Sequence, residues 1–145
     1  GINNHMGSLL TRHPGHLLWL MRLMQSQAPL FFVDSRTTVE TVARLVAMEN
    51  GVPASERNVF LDTQLDTGEI AVQFDRLLQL ARKQGTALAI GHPNALTLAV
   101  LEQRLPELEK QGIRLLPVSE LIEIQQRGGH TWQASWSRSR KDAKN

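Results

Sequence analysis

Four short apolar runs in this chain each end in a polar group able to do chemistry. Ile2 leads into Asn3, Asn4 and His5, residues 30–33 into Asp34, Ser35 and Arg36, residues 59–61 into Asp62, and residues 87–90 into Gly91 and His92. Longer segments with helical spacing lie between them. Residues 14–27 carry Leu17, Leu18, Leu20, Met21 and Met24, a broad apolar face that stops before Pro29. Thr37 stands three residues before Glu40, which predicts a capping box opening a helix through Val42, Leu45 and Val46 to Gly51. From about Gly68, Ile70, Phe74, Leu77, Leu78 and Ala81 fall on one helical face that Gly85 ends. Asn94 is the expected cap of a further stripe, Leu98, Leu101 and Leu105, interrupted at Pro106.

The pattern predicts strands over 30–33, 58–61, 86–90 and 113–116, a fifth over 1–4, a turn over 52–55, and a short last helix over 119–126. Short β-rich runs alternating with helices predict an α/β fold of parallel strands covered by helices. In such a sheet all strand carboxyl ends open on one face, so residues far apart in sequence converge on one pocket. One polar residue after a strand means little; four in phase point to a site.

Composition narrows the function classes. The 145 residues are 41% hydrophobic and 21% charged, ordinary for a globular chain able to bury a core. No apolar run approaches the ~20 residues that span a bilayer; the segment 17–24 is interrupted by Arg22. The start shows no secretory signal and no initiator Met, so further residues are expected upstream. Without cysteine there are no disulfides and no thiolate chemistry. The net charge of +2 is concentrated in Arg138, Arg140, Lys141 and Lys144, and the near-neutral body argues against nucleic-acid binding. Residues 128–145, with Trp132 and Trp136, lack periodicity and are expected to form a flexible basic tail behind a domain of residues 1–127. No Gly-rich phosphate loop joins a strand to its helix, which disfavours a nucleotide-binding domain.

The candidate chemistry lies at the strand ends. A neutral His5 imidazole is suited to ligate a metal, with Asn3 and Asn4 placed to hydrogen-bond a substrate or an imidazole. The run His5-Met6-Gly7-Ser8 also resembles a cloning scar, although Gly1 to Asn4 would be an odd tag. Asp34 and Ser35 are equally readable as caps of the next helix, with Arg36 pairing an acidic neighbour, or as a site in which Arg36 keeps a carboxylate ionised. Asp62 carries the same two readings. His92, between Gly91 and Pro93, is held in a turn and would act as a general acid if an Asp from a neighbouring strand met it. His13 and His16 flank Pro14 and read as solvated surface, and His130 falls in the tail.

Taken together, Gly1-Ile2-Asn3-Asn4-His5-Met6-Gly7-Ser8, Phe31-Phe32-Val33-Asp34-Ser35-Arg36-Thr37, Asn58-Val59-Phe60-Leu61-Asp62, Ile90-Gly91-His92-Pro93 and Leu116-Pro117-Val118-Ser119 resemble the divergent polysaccharide deacetylase family, a branch of the NodB-like carbohydrate deacetylases. The resemblance covers about residues 1–121 and implies a (β/α) barrel, here a partial one. It implies metal-dependent hydrolysis of an N-acetyl or O-acetyl group on a glycan, with a divalent metal, zinc first, as cofactor, and a periplasmic or envelope location. On the matching positions, His5 is similar to a metal ligand and Arg36 to the arginine that orients the catalytic carboxylate. Asp62 or Asp34 resembles the aspartate that tunes the acid, and His92 the histidine that protonates the leaving amine. Asn3, Asn4 and Ser35 are the expected substrate contacts.

The departures are specific. Leu9 stands where the family's His-x-x-x-His pair has its second histidine, and the Asp-Asp motif of the first strand does not occur. This chain alone is therefore expected to be inactive and, through uncovered barrel edges, prone to self-association. The alternative function is an envelope glycan-binding or scaffold protein that kept the fold and lost catalysis.

Overall fold

The structure is a computed structural model that describes residues 1–27 and 29–128. The expected tail, with His130, Trp132 and Trp136, lies almost wholly outside the described residues. The chain forms two units, Gly1–Leu115 and Leu116–Asn145. In the first the elements run β1 (Ile2–Asn3), α1 (Ser8–Thr11), α2 (Pro14–Ser26), β2 (Phe32–Asp34), α3 (Ala43–Glu49), β3 (Ala54–Glu56), β4 (Val59–Phe60), α4 (Thr67–Gln84), β5 (Ala89–Ile90) and α5 (Ala95–Arg104). Two single 3₁₀ turns follow, at Leu105–Glu107 and Glu109–Gln111. The second unit is described as a helix over 118–128. Among the described residues no helix is long and apolar enough to cross a membrane.

All strand pairs are parallel, as the alternation of runs predicts. β1 pairs with β2 through Ile2↔Phe32 and Asn3↔Val33, and β2 with β3 through Phe32↔Ala54, Val33↔Ser55 and Asp34↔Glu56. β4 pairs with β5 through Val59↔Ala89 and Phe60↔Ile90. One extended stretch serves both sheets: the Arg57 N–H closes the ladder to β2 at the Asp34 carbonyl (2.9 Å), and the next N–H, of Asn58, opens the ladder to β5 at the Leu88 carbonyl (2.8 Å). The result is a strand order that follows the chain, with crossovers made by helices, as in an arc of a (β/α) barrel.

Each sheet has its own core. Leu17, Met21 and Met24 of α2 meet Phe32 of β2 and Ala43, Val46 and Ala47 of α3, with Val52 and Ala54 beneath. Ala43 and Ala47 are wholly buried, and their small side chains let α2 and α3 approach closely. The second core joins Val59 and Leu61 to Ile70, Phe74 and Leu78 of α4, Val100 of α5, and Leu108. The α4 stripe matches its predicted spacing. Its cap is Asp66, whose carboxylate accepts the Glu69 N–H at 3.0 Å, and Gly85 closes it at φ 84°.

Three expectations are corrected. Residues 54–56 are a strand where a turn was expected: Pro53 and Ser55 read as turn residues, but Ala54 and Ser55 are small enough to be buried against β2. The expected strand over 113–116 does not form, because the chain leaves its last 3₁₀ turn with the Ile113 N–H bonded back to the Leu108 carbonyl at 3.0 Å. The capping box at Thr37 is also absent. Thr37 Oγ1 donates to the Met6 carbonyl (3.3 Å), Glu40 pairs with Arg12, and α3 starts only at Ala43, whose N–H donates to Thr41 Oγ1 at 3.2 Å.

Phe32 is 1% exposed at the centre of the first core. Phe32→Ala should lower unfolding free energy by about 3–5 kcal/mol, the loss of an aromatic plus the cavity left behind, read as a shift in the urea midpoint with an unchanged slope.

Candidate active site

The register places the polar strand ends at the mouth of the arc. Asp62 follows β4 and His92 follows β5, and the two meet through more than one contact. The Asp62 side chain is wholly buried, while that of His92 is 54% exposed. Oδ2 of Asp62 accepts the backbone N–H of His92 (2.6 Å), the Asn94 amide (3.0 Å) and the Thr97 hydroxyl (3.1 Å). Oδ1 lies 3.2 Å from His92 Nδ1. Burial pushes the Asp62 carboxyl upward, but the His92 N–H, the Thr97 hydroxyl and the charge of the His92 ring outweigh it, so the group is held below its ordinary value of 3.8. An ionised Asp62 selects the imidazole tautomer that carries its proton on Nδ1, which leaves Nε2 for chemistry at the open side.

The His92 ring is also fixed by its neighbours. Phe60 meets it edge-on at 5.4 Å between centroids, and His5 at 6.2 Å and 89°. His5 follows β1 and His92 follows β5, the opposite ends of the strand order, so the sheets curl enough to bring the two ends together. Gly91 lets the chain after β5 pack closely on Leu61 and on α5: a Cβ there would lie 3.3 Å from Leu61 Cβ and 3.4 Å from Thr97 Cγ2.

On the other side of the mouth the chain is laced across β1 and β2. The Ser35 N–H donates to Asn4 Oδ1 at 2.8 Å, and Asn3 Nδ2 reaches Ser35 Oγ at 3.4 Å. The segment around His5 is thus part of the fold, since Ser8 and Thr37 tie it to the β2–α3 loop as well. Asp34 is 1% exposed and its oxygens accept the Arg36 N–H and the Thr41 hydroxyl, both at 2.8 Å. Asp34 thus closes a turn within its own loop and does not cap α3, which starts at Ala43 behind Val42. The guanidinium of Arg36 lies against Glu56 at 3.3 Å, its one ion pair among the described residues, and not against Asp34 or Asp62. Met6 and Arg36 each adopt left-handed backbone, φ 58° and 48°, a cost of about 1–3 kcal/mol apiece. Both strained residues border the mouth.

The structure therefore gathers His5, Asp62 and His92 on one side, and Asn3, Asn4, Ser35 and Asp34 on the other. Sequence reading missed Thr97, Asn94 as an Asp62 ligand, Thr41 and Arg57. Asn94 and Thr97 stand two and five residues after His92, at the cap and first turn of α5. A hydroxyl at that position next to a buried strand-end carboxylate was the available signal.

A model of the divergent polysaccharide deacetylases matches residues 1–122. The chain belongs to that family. It is 41% identical over 121 residues to an uncharacterized protein of Haemophilus influenzae, covering 83% of this chain and 42% of that protein. It is 40% identical over 124 residues to the uncharacterized protein YibQ of Escherichia coli K12, covering 84% of this chain and 38% of YibQ. The chain thus spans about two fifths of the length of these relatives. The crystal structure of the uncharacterized protein ATU2773 of Agrobacterium tumefaciens C58 superposes with a TM-score of 0.80 at 23% identity, covering 83% of this chain and 49% of that one. At that identity the likeness establishes the α/β fold of this deacetylase-family chain.

Two substitutions test the geometry. Thr97→Val keeps the shape and removes one donor to Asp62, and should cost about 1–3 kcal/mol at neutral pH. Since folding holds Asp62 below 3.8, its contribution is complete above that value and is lost as pH falls through the lower folded value. The Thr97→Val deficit should accordingly shrink on acidification below 3.8; an equal deficit at neutral and acid pH would mean the hydroxyl serves packing alone. Gly91→Ala, with Leu61 Cβ fixed by its own backbone, should cost about 1–3 kcal/mol by overpacking and displace the His92 amide signal in the NMR spectrum.

Proposed function

We propose that this chain carries the proton-transfer part of a carbohydrate deacetylase that hydrolyses N-acetyl or O-acetyl groups on a glycan. The observation that carries the reading is the buried, ionised Asp62 behind an exposed His92. In the reaction a water oxygen bonds to the acetyl carbon, the bond from that carbon to the sugar nitrogen or oxygen breaks, and acetate departs. Nε2 of His92 takes a proton from the attacking water and delivers it to the leaving atom, with Asp62 stabilising the imidazolium in between, and the second water proton leaves with acetic acid and passes to solvent. Asn3, Asn4 and Ser35, at the rim, are the proposed sugar contacts, although Ser35 N–H and Asn4 Oδ1 already satisfy each other.

A divalent metal, zinc first, is the cofactor that the family resemblance implies, and His5 is the candidate ligand here. Metal sites take about three protein ligands. Among the described residues no three His, Asp or Glu side chains group for a metal, and the oxygens of Asp34 and Asp62 are occupied by donors. The described residues by themselves do not fit such a site, and no step above depends on one. We also propose a cell-envelope location, where a glycan substrate of this class would be met.

The test is acetate release from N-acetylated and O-acetylated oligosaccharides by the intact protein, with and without added zinc. His92→Ala should lower the rate by about 10²–10⁴-fold, the usual share of a general acid, with the fold retained by circular dichroism. Full activity in that variant would remove His92 from the mechanism. Glycan binding without any acetate release would favour the non-catalytic glycan-binding protein.

A further inference from the structure

Away from His92, a cleft of about 390 Å³ opens between the β2–α3 loop and α4, within the ~300–1,000 Å³ typical of small-molecule sites. Three arginines line it: Arg36 from the loop, Arg57 from the junction of β3 and β4, and Arg76 from α4. Arg76, Leu80 and Gln84 stand four residues apart and share one helical face.

The charges here are unevenly neutralised. Arg36 is paired with Glu56 at 3.3 Å. Asp34, the other carboxylate near Arg57, accepts the Arg36 N–H and the Thr41 hydroxyl and has no hydrogen bond from Arg57 among the described residues. Arg57 is held rigidly by other means: Nε donates to the Ser35 carbonyl (2.7 Å), Nη2 to the Arg36 carbonyl (2.8 Å), and the guanidinium lies 5.1 Å from the Phe60 ring centroid. Its Nη1 makes no hydrogen bond among the described residues, and Arg76 has neither a hydrogen bond nor an ion pair there. Burial and the neighbouring Arg36 charge lower the Arg57 pKa despite Asp34, so the surroundings of this guanidinium are net unfavourable to cations. A guanidinium fixed before binding and short of a counter-charge is suited to fork onto an oxyanion.

The rest of the lining is not that of a bare ion site. Val39, 88% exposed, and Leu80 supply apolar surface, while Asn58, whose Oδ1 is taken by the Leu88 N–H, keeps its amide donors. Apolar faces beside free amides match the alternating C–H and hydroxyl surfaces of a sugar ring. We infer that the cleft binds an acidic sugar unit, a saccharide bearing a carboxylate or a phosphate, whose anion is held by Arg57 and Arg76. Ser35 links the two places, since its carbonyl holds Arg57 and its N–H holds Asn4 at the mouth. The favoured substrate is then an acetylated glycan that is also anionic, which rests on the deacetylase reading for the acetyl group and not for the anion.

The 145-residue chain is titrated by NMR with glucuronate, glucose 6-phosphate, glucose and inorganic phosphate. Glucuronate, glucose 6-phosphate or both should move the Arg57 and Asn58 amide signals, glucose should not, and inorganic phosphate should bind more weakly than the acidic sugar. Arg76 is exposed on a helix, where Gln is about as good a helix former, and Arg76→Gln should raise the dissociation constant about five-fold or more, as loss of one charge-assisted contact implies. Equal binding of glucose, equal binding of inorganic phosphate, or an unchanged constant in Arg76→Gln would overturn the inference. Binding is read without turnover, so an acidic sugar site lost in Arg76→Gln stands even if no acetate is ever released, and acetate release stands if the cleft binds nothing.

Discussion

Arg57 and Asn58 hold two sheets to one stretch of chain, and the placement of every strand end follows from that. Their successive N–H groups bond in opposite directions, to the Asp34 carbonyl and to the Leu88 carbonyl. Their side chains repeat the division: Arg57 reaches the carbonyls of Ser35 and Arg36, and Asn58 Oδ1 accepts the Leu88 N–H. Two adjacent residues thus satisfy backbone groups that would otherwise be exposed at the gap between the sheets, which is a costly place to leave them unpaired. With this junction in place, the two cores pack separately while Asp34, at the end of β2, and Asp62, after β4, both reach the mouth.

The two buried aspartates show how one residue type is used differently by its surroundings. Asp34 is held by groups of its own loop and next helix, the Arg36 N–H and the Thr41 hydroxyl. It shapes the loop, closing a turn over Ser35 that leads into the left-handed backbone of Arg36. Asp62 is instead held by groups that follow a different strand, His92, Asn94 and Thr97. Burial alone would favour its neutral form. Donors supplied by the turn after β5 reverse that balance, and the charge so kept faces an accessible imidazole.

Much of the fold was legible because its signals are local. The spacing of Ile70, Phe74, Leu77 and Leu78 on α4, and Asn94 as the cap of α5, depend on a few neighbouring residues. The strand at Ala54–Glu56 was not legible, since small polar and turn-forming residues enter a sheet only when a neighbour such as Phe32 covers them. The capping box failed for a related reason: Thr37 and Glu40 found partners in Met6 and Arg12, far away in sequence, that outweighed the local pairing. At the site, the polar strand ends were visible as a recurrence, whereas Thr41, Arg57 and Thr97 carry no motif of their own.

The sequence by itself determined the alternation of strands and helices, the parallel α/β architecture, the family and the residues presented at the strand ends. Those properties follow from periodicity and from contiguous motifs, which survive in one dimension. Only the tertiary structure decided that Asp62 meets His92, that Arg36 answers Glu56, and that His5 comes within 6.2 Å of His92 from the far end of the strand order. Such pairings depend on sheet curvature and on competition among donors for one carboxylate, and both are set by packing between segments rather than within them.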